Sequence, residues 1–141
     1  GTLSKRPPRL ITTFRPVERG ISGGISVLGT AVSLVGGVVI GLTAGVLDGE
    51  TAVWLGLLMG AIGGLSGSLF DSFLGATVQV IYRDPAGKET ERRVDKQGRK
   101  TDYLRGWRWL SNDLVNALAS VVGGGVAVGL WGLLAKVNGI L

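Results

Sequence analysis

Three long stretches almost empty of charge limit what this chain can fold into. The first, Ile21 to Leu47, carries no charged residue. The second begins at Thr51 and meets only Asp71 before Tyr82, and the third runs from Leu114 to Ala135. Each supplies the roughly 20 apolar residues that a helix needs to cross a bilayer. Charged residues make up only 18% of the chain and the mean hydropathy is +0.38, so an ordinary soluble domain is excluded. The pattern predicts an all-α membrane protein of about three transmembrane helices with Gly-rich packing faces. The expected layout is a basic cytoplasmic segment over 1–20, then spans over 21–47, 51–76 and 111–135. A small cytoplasmic β-hairpin and loop fills 77–110 between the second and third spans. None of the spans has the length and position of a cleavable signal peptide.

Glycine accounts for 25 of the 141 residues and is periodic. Gly29, Ser33, Gly37, Gly41 and Gly45 recur every fourth residue in the first span. Gly56, Gly60, Gly64 and Ser68 do so in the second, and Gly125 and Gly129 in the third. Residues four apart share a helix face, and small residues there let membrane helices approach closely. These faces predict tight packing of the spans on each other, on further helices of the same protein, or on a second copy in a homo-oligomer.

Charge sets the expected orientation. The segment 1–20 has a net charge of +4, and 83–108, with nine basic and five acidic residues, also has +4. The link after the first span holds only Asp48 and Glu50. The positive-inside rule places both basic segments in the cytoplasm. Trp54 and Trp131 then fall near the outer interface, and Trp107 and Trp109 near the inner one. No nucleic-acid-binding motif accompanies the basic charge, so no nucleic-acid partner is expected.

The chain contains no cysteine and no histidine. Disulfides, thiol chemistry and Cys/His zinc sites are therefore excluded, and a bound metal would have oxygen ligands, which suits Mg²⁺. Asp71 is the first candidate. A lone carboxylate at a lipid-embedded segment is costly, and such residues usually face a protein interior or a hydrated cavity. The alternative is an interfacial Asp at the end of a helix. Asn112, Asp113 and Asn116 form the second cluster, at the start of the third span, where Ser111 is a plausible N-cap. Asn112, Asn116, Ser120 and Gly124 make one polar-to-small stripe on that helix. The third cluster is Lys5, Arg6, Arg9, Thr12 and Thr13, followed by the glycine turn Gly20-Ile-Ser-Gly23-Gly24. A glycine-rich turn feeding a helix offers backbone N–H groups to an anion, and Arg and Lys bind phosphates. The alternative is a basic membrane anchor with a flexible helix start. On the expected topology all three clusters lie at the cytoplasmic side. That suggests a site for a phosphorylated substrate with an apolar tail in the bilayer, with Asp71, Asn112 and Asp113 as metal ligands.

Four strings carry a family resemblance: Pro8-Arg-Leu-Ile-Thr-Thr-Phe14, Gly20-Ile-Ser-Gly-Gly-Ile-Ser26, Gly67-Ser-Leu-Phe-Asp-Ser-Phe-Leu-Gly-Ala-Thr-Val-Gln79 and Asn112-Asp-Leu-Val-Asn116. With them the chain resembles the integral-membrane family of unknown function that includes transmembrane protein 19 and the plant phytyl-phosphate kinases. The resemblance implies a polytopic membrane protein, similar at a distance to nucleotide-dependent polyprenol kinases. It implies phosphorylation of an isoprenoid (phytyl or polyprenyl) phosphate, with CTP or ATP as donor and Mg²⁺ as cofactor. Asp71, Asp113 and Asn116 match its polar motifs as candidate catalytic residues. Arg9, Thr12, Thr13, Gly23 and Gly24 match its cytoplasmic segment, and Lys5 and Arg6 join them as candidate phosphate ligands. Where relatives often have Gly-Thr-Asn-Gly-Gly, this chain has Gly20-Ile-Ser-Gly-Gly24, which replaces the Thr and Asn side chains with those of Ile21 and Ser22. The resemblance further implies that the chain corresponds to the C-terminal half of a longer protein with additional N-terminal helices. Two other readings stay open: a carrier or channel component, and a non-catalytic membrane scaffold.

Overall fold

A computed structural model describes residues 7–49, 52–95 and 97–137. Three helices dominate: α1 (Val27–Asp48), α2 (Val53–Thr77) and α3 (Asn112–Val137). All three are long and apolar enough to cross a membrane. The strands are short: β1 (Arg9–Leu10), β2 (Gly24–Ile25), β3 (Ile81–Arg83), β4 (Glu89–Thr90) and β5 (Asp102–Arg105). The chain divides into two compact units. One comprises residues 1–26 and 71–118, the other 27–70 and 119–141.

In the second unit the glycine periodicity does what close helix packing requires. A side chain on Gly41 would run into the Gly56 carbonyl oxygen, and one on Gly60 into that of Gly37. Gly45 lies against Val53, where an added Cβ would stand 3.2 Å from the Val53 Cα. The series ends in a hydrogen bond between the Ser33 and Ser68 hydroxyls at 2.9 Å. As residue numbers rise along α1 they fall along α2, so the helices run antiparallel with backbone on backbone. In the third span the Gly125–Gly129 row is not the one that meets α1 or α2. Nothing lies within 4 Å of an added Cβ at Gly125 or Gly129. Gly123 and Ala119 make the contacts instead, against Gly63 and Gly67, with 2.7 Å from a Cβ on Gly63 to the Gly123 oxygen. A four-residue repeat identifies a face of small residues, but several rows of α3 are small, and the period alone does not choose among them.

In the first unit, α1 begins at Val27, six residues later than the charge pattern suggests. Gly20 and Gly23 have φ of +91° and +85°, which no right-handed helix contains. Gly24 and Ile25 are extended and pair antiparallel with Leu10 and Arg9. Ser26 then stands at the N-cap position.

The segment after α2 forms a three-stranded antiparallel sheet in the order β4-β3-β5, one strand more than the expected hairpin. Two turns on the same plan build it. In Asp84-Pro-Ala-Gly87-Lys88 the Asp84 carboxylate accepts from the Ala86 and Lys88 amides at 2.9 and 2.8 Å. In Asp95-Lys-Gln-Gly98-Arg99 the Asp95 carboxylate accepts from the Gln97 and Arg99 amides at 2.9 and 2.8 Å. Gly87 and Gly98 both take positive φ, +83° and +79°. The stretch 95–102, expected to be a loop, is thus a second reversal leading into β5. Val80, Ile81, Leu110 and Val115 form the small apolar core of this unit. The Val80 amide donates to the Leu110 carbonyl at 2.9 Å, tying the sheet entry to the start of α3.

Candidate functional site

The turn from Gly20 to Gly24 packs on the C-terminal end of α2. An added Cβ on Gly23 would lie 2.5 Å from the Ala76 Cα, and one on Gly75 would lie 2.9 Å from the Gly23 nitrogen. The glycines therefore serve a backbone-on-backbone contact. They do not open α1, as a phosphate loop feeding that helix would. Asp71 and Gly75 are four apart on α2 and share a face, so the turn is carried toward the half-buried Asp71.

Glu91 lies in the segment after β4 and is exposed. Glu91 is held by the Ser22 hydroxyl, which donates to its carboxylate across 69 residues of sequence. Sequence reasoning singled out neither residue. The signal present was Ser22 inside the glycine turn that had already been marked.

Gln79 closes this corner from below. The residue is only 2% exposed, and its Nε2 has no hydrogen-bond partner in the structure. Its Oε1 lies 3.3 Å from where a Cβ on Gly75 would sit. Gly106, at φ +89°, lies so close that any side chain there would strike the Gln79 carbonyl. The α2 terminus is finished by Arg105, whose guanidinium donates to the Gly75 and Ala76 carbonyls, each at 3.3 Å.

The remaining candidates are more dispersed. Arg9, on β1, is exposed and donates to the Phe14 carbonyl at 2.8 Å, closing its own loop. Thr12 and Thr13 lie exposed in that loop, and Thr13 Oγ1 accepts from the Arg15 amide at 3.5 Å. Phe14 is exposed and takes a left-handed φ of 54°. Asn112, Asp113 and Asn116 occupy the first turns of α3, and Asp113 and Asn116 are exposed. Ser111 caps the helix, accepting from the Leu114 amide at 3.4 Å. Val115 and Ala119, not the Asn116 row, form the buried face. Lys5 and Arg6 lie outside the described residues. Among the described residues no three Asp or Glu side chains gather as a metal cluster.

Trp107 and Trp109 stack on each other at 5.4 Å, both exposed, just before α3. Exposed aromatics beside the end of an apolar helix suit a headgroup interface. Three spanning-length helices, a small sheet and interfacial tryptophans define an integral membrane protein.

More particularly, the chain belongs to the family described as Integral membrane protein DUF92, whose model matches residues 1–124. It is 34% identical over 128 residues to an uncharacterized membrane protein of Methanocaldococcus jannaschii, covering 91% of this chain and 42% of that protein. It is 42% identical over 88 residues to Protein PGR of Arabidopsis thaliana, covering 56% of this chain and 31% of that one. An uncharacterized membrane protein of Synechocystis is 26% identical over 124 residues, or 86% of this chain and 36% of the relative. The chain thus spans less than half the length of these curated relatives. No solved structure matches it.

Proposed function

We propose that this chain forms part of a membrane-embedded phosphotransferase acting on an isoprenoid phosphate, such as phytyl or polyprenyl phosphate, with CTP or ATP as donor. The observation that supports this reading is the docking of the Gly20–Gly24 turn on the end of α2 that bears Asp71. It carries the Ser22 hydroxyl toward the end of an apolar helix that bears a carboxylate. A substrate with a lipid tail and a phosphate head needs that juxtaposition. By the positive-inside rule the basic segments on this side face the cytoplasm, where the nucleotide is available.

The oxygen-only donor set around Asp71 fits Mg²⁺, which is usually held by one or two carboxylates with waters and phosphate oxygens completing its shell. When bound, Mg²⁺ would neutralise charge on the transferring phosphoryl group. Asp71 is the residue we assign to hold it, with Asn112, Asp113 and Asn116 positioning the substrate from the start of α3. Lys5, Arg6 and Arg9 would draw in phosphates by charge. Positioning and charge neutralisation do most of the work in phosphoryl transfer, so the lack of histidine is no obstacle.

The test uses the natural protein that carries this chain, in liposomes, with labelled CTP or ATP, Mg²⁺ and a panel of phytyl, geranylgeranyl and longer polyprenyl phosphates. Label should appear in a lipid diphosphate and disappear with Asp71→Asn. Transfer by Asp71→Asn at the wild-type rate would refute the assignment of Asp71, and no transfer across the panel by folded protein would refute the kinase reading.

A further inference from the structure

Two arginines outside the candidate site meet on one pair of tyrosines. Tyr82 on β3 and Tyr103 on β5 are partners across the sheet, and their rings meet edge to face with centroids 6.5 Å apart. The Arg108 guanidinium lies over the Tyr103 ring, 4.6 Å from its centroid. The Arg93 Nε donates to the Tyr82 hydroxyl at 3.0 Å, and its Nη2 donates to the Arg108 carbonyl at 3.3 Å. Tyr103 is itself pinned, since its hydroxyl donates to the Gly106 carbonyl at 2.6 Å. These contacts are with neutral groups: a phenol, a ring face and a backbone carbonyl. They orient two cations without neutralising either. The ion pair of this segment joins Arg99 to Asp95 and involves neither arginine. A guanidinium stacked on a ring spends its face there and keeps its N–H edge for in-plane hydrogen bonds, the fork that matches a phosphate.

The position of Arg108 in the chain says which phosphate. It stands between Trp107 and Trp109, which stack at 5.4 Å and are both exposed. Just beyond them begins α3, a helix long and apolar enough to cross a membrane. Exposed tryptophans at the end of a span suit the headgroup layer, so an arginine between them lies at the depth of lipid phosphates. The segment 83–108 carries a net charge of +4, which complements an anionic leaflet. We infer that Arg93 and Arg108 form a binding site for the phosphate of an anionic phospholipid. Arg108 presents its N–H edge from the Tyr103 ring, and Arg93 is fixed beside it by Tyr82. Tyr82 and Tyr103 are positioning residues in this scheme. The site carries no step of the phosphotransferase reading and is tested without turnover.

The experiment titrates the natural protein, purified in a neutral detergent, with dioctanoyl phosphatidylglycerol, dioctanoyl phosphatidylcholine and inorganic phosphate, and follows binding by calorimetry. Wild type should bind phosphatidylglycerol saturably, and at least ~10-fold more tightly than either of the others. Arg93→Gln and Arg108→Gln should each weaken that binding by ~10-fold or more, as expected for loss of a charge-assisted contact. Arg108→Lys keeps the charge but loses the planar fork, so it should also bind more weakly than wild type. Lys88→Gln removes the same charge from an exposed position on the neighbouring turn and should change nothing. Folding of each variant is checked by the helical circular dichroism signal and by the near-ultraviolet signal of the stacked tryptophans. Should Arg108→Gln misfold, Arg108→Lys carries the test. Wild-type affinity in the folded arginine variants, or an equal loss in Lys88→Gln, overturns the inference. Inorganic phosphate bound as tightly as phosphatidylglycerol, and lost with the same variants, overturns the lipid assignment and makes a soluble phosphate the ligand.

Discussion

Gly20 and Gly23 share one backbone conformation and differ in their surroundings, and that difference can be measured. Both have φ near +90°, where a Cβ costs about 1–2 kcal/mol. At Gly20 an added Cβ meets nothing within 4 Å, so Gly20→Ala should carry that strain alone. At Gly23 it would lie 2.5 Å from the Cα and Cβ of Ala76, far inside van der Waals contact and against backbone that cannot rotate away. Overpacking of this kind adds roughly 1–3 kcal/mol, so Gly23→Ala should destabilise by about 2–5 kcal/mol in total. The assay is unfolding of both variants in the same detergent, with amide exchange at Ile11, whose N–H donates to the Gly23 carbonyl at 3.0 Å. Gly23→Ala should accelerate exchange at Ile11 and lower the unfolding midpoint well beyond Gly20→Ala. Equal effects of the two substitutions would refute the claim that the turn is pressed on α2, and with it the geometry that brings Ser22 toward Asp71.

Other outcomes follow from the same contacts. Gly41→Leu should separate α1 from α2 and lose about 1–3 kcal/mol or more, whereas Gly129→Leu should be tolerated, since only the first meets a backbone oxygen; thermal unfolding compares them. Arg105→Met should free the Gly75 and Ala76 carbonyls and destabilise the end of α2 by about 1–2 kcal/mol, seen as faster exchange of the Val78 and Gln79 amides. At Asp95, desolvation pushes the carboxyl up, but the Arg99 amide and guanidinium and the Gln97 amide together push it down further, so it titrates below the usual 3.8. A lowered folded value means its contribution is complete above the unfolded value and is lost as pH falls through the folded one. The Arg99 amide should therefore stay protected down to about pH 4 and lose protection below it, and Asp95→Asn should abolish that acid transition.

Much of this was legible in local sequence. The spans follow from the absence of charge over a bilayer's length, and the α1–α2 face follows from a repeat of four, because both are properties of a single helix. The turn at Asp84-Pro-Ala-Gly87 was equally plain. Its counterpart at Asp95-Lys-Gln-Gly98-Arg99 has the same Asp-x-x-Gly-basic pattern, but it lies in a polar stretch with no hydrophobic alternation to mark the strand that follows. The start of α1 was misplaced because charge and hydropathy do not register backbone handedness, and Gly20 and Gly23 adopt a φ closed to a helix. In α3, choosing Gly123 over Gly125 needs the neighbouring helix.

What the chain determined alone is therefore its membrane-spanning character, its glycine faces and the isolation of Asp71, since each depends on residues a few positions apart. Only the tertiary structure decided that Ser22 holds Glu91 from 69 residues away, and that Gln79 is buried against Gly75 with an amide nitrogen unpaired. Those relations arise from chain segments meeting in space, and their energies come from contact and field, which have no period along the sequence.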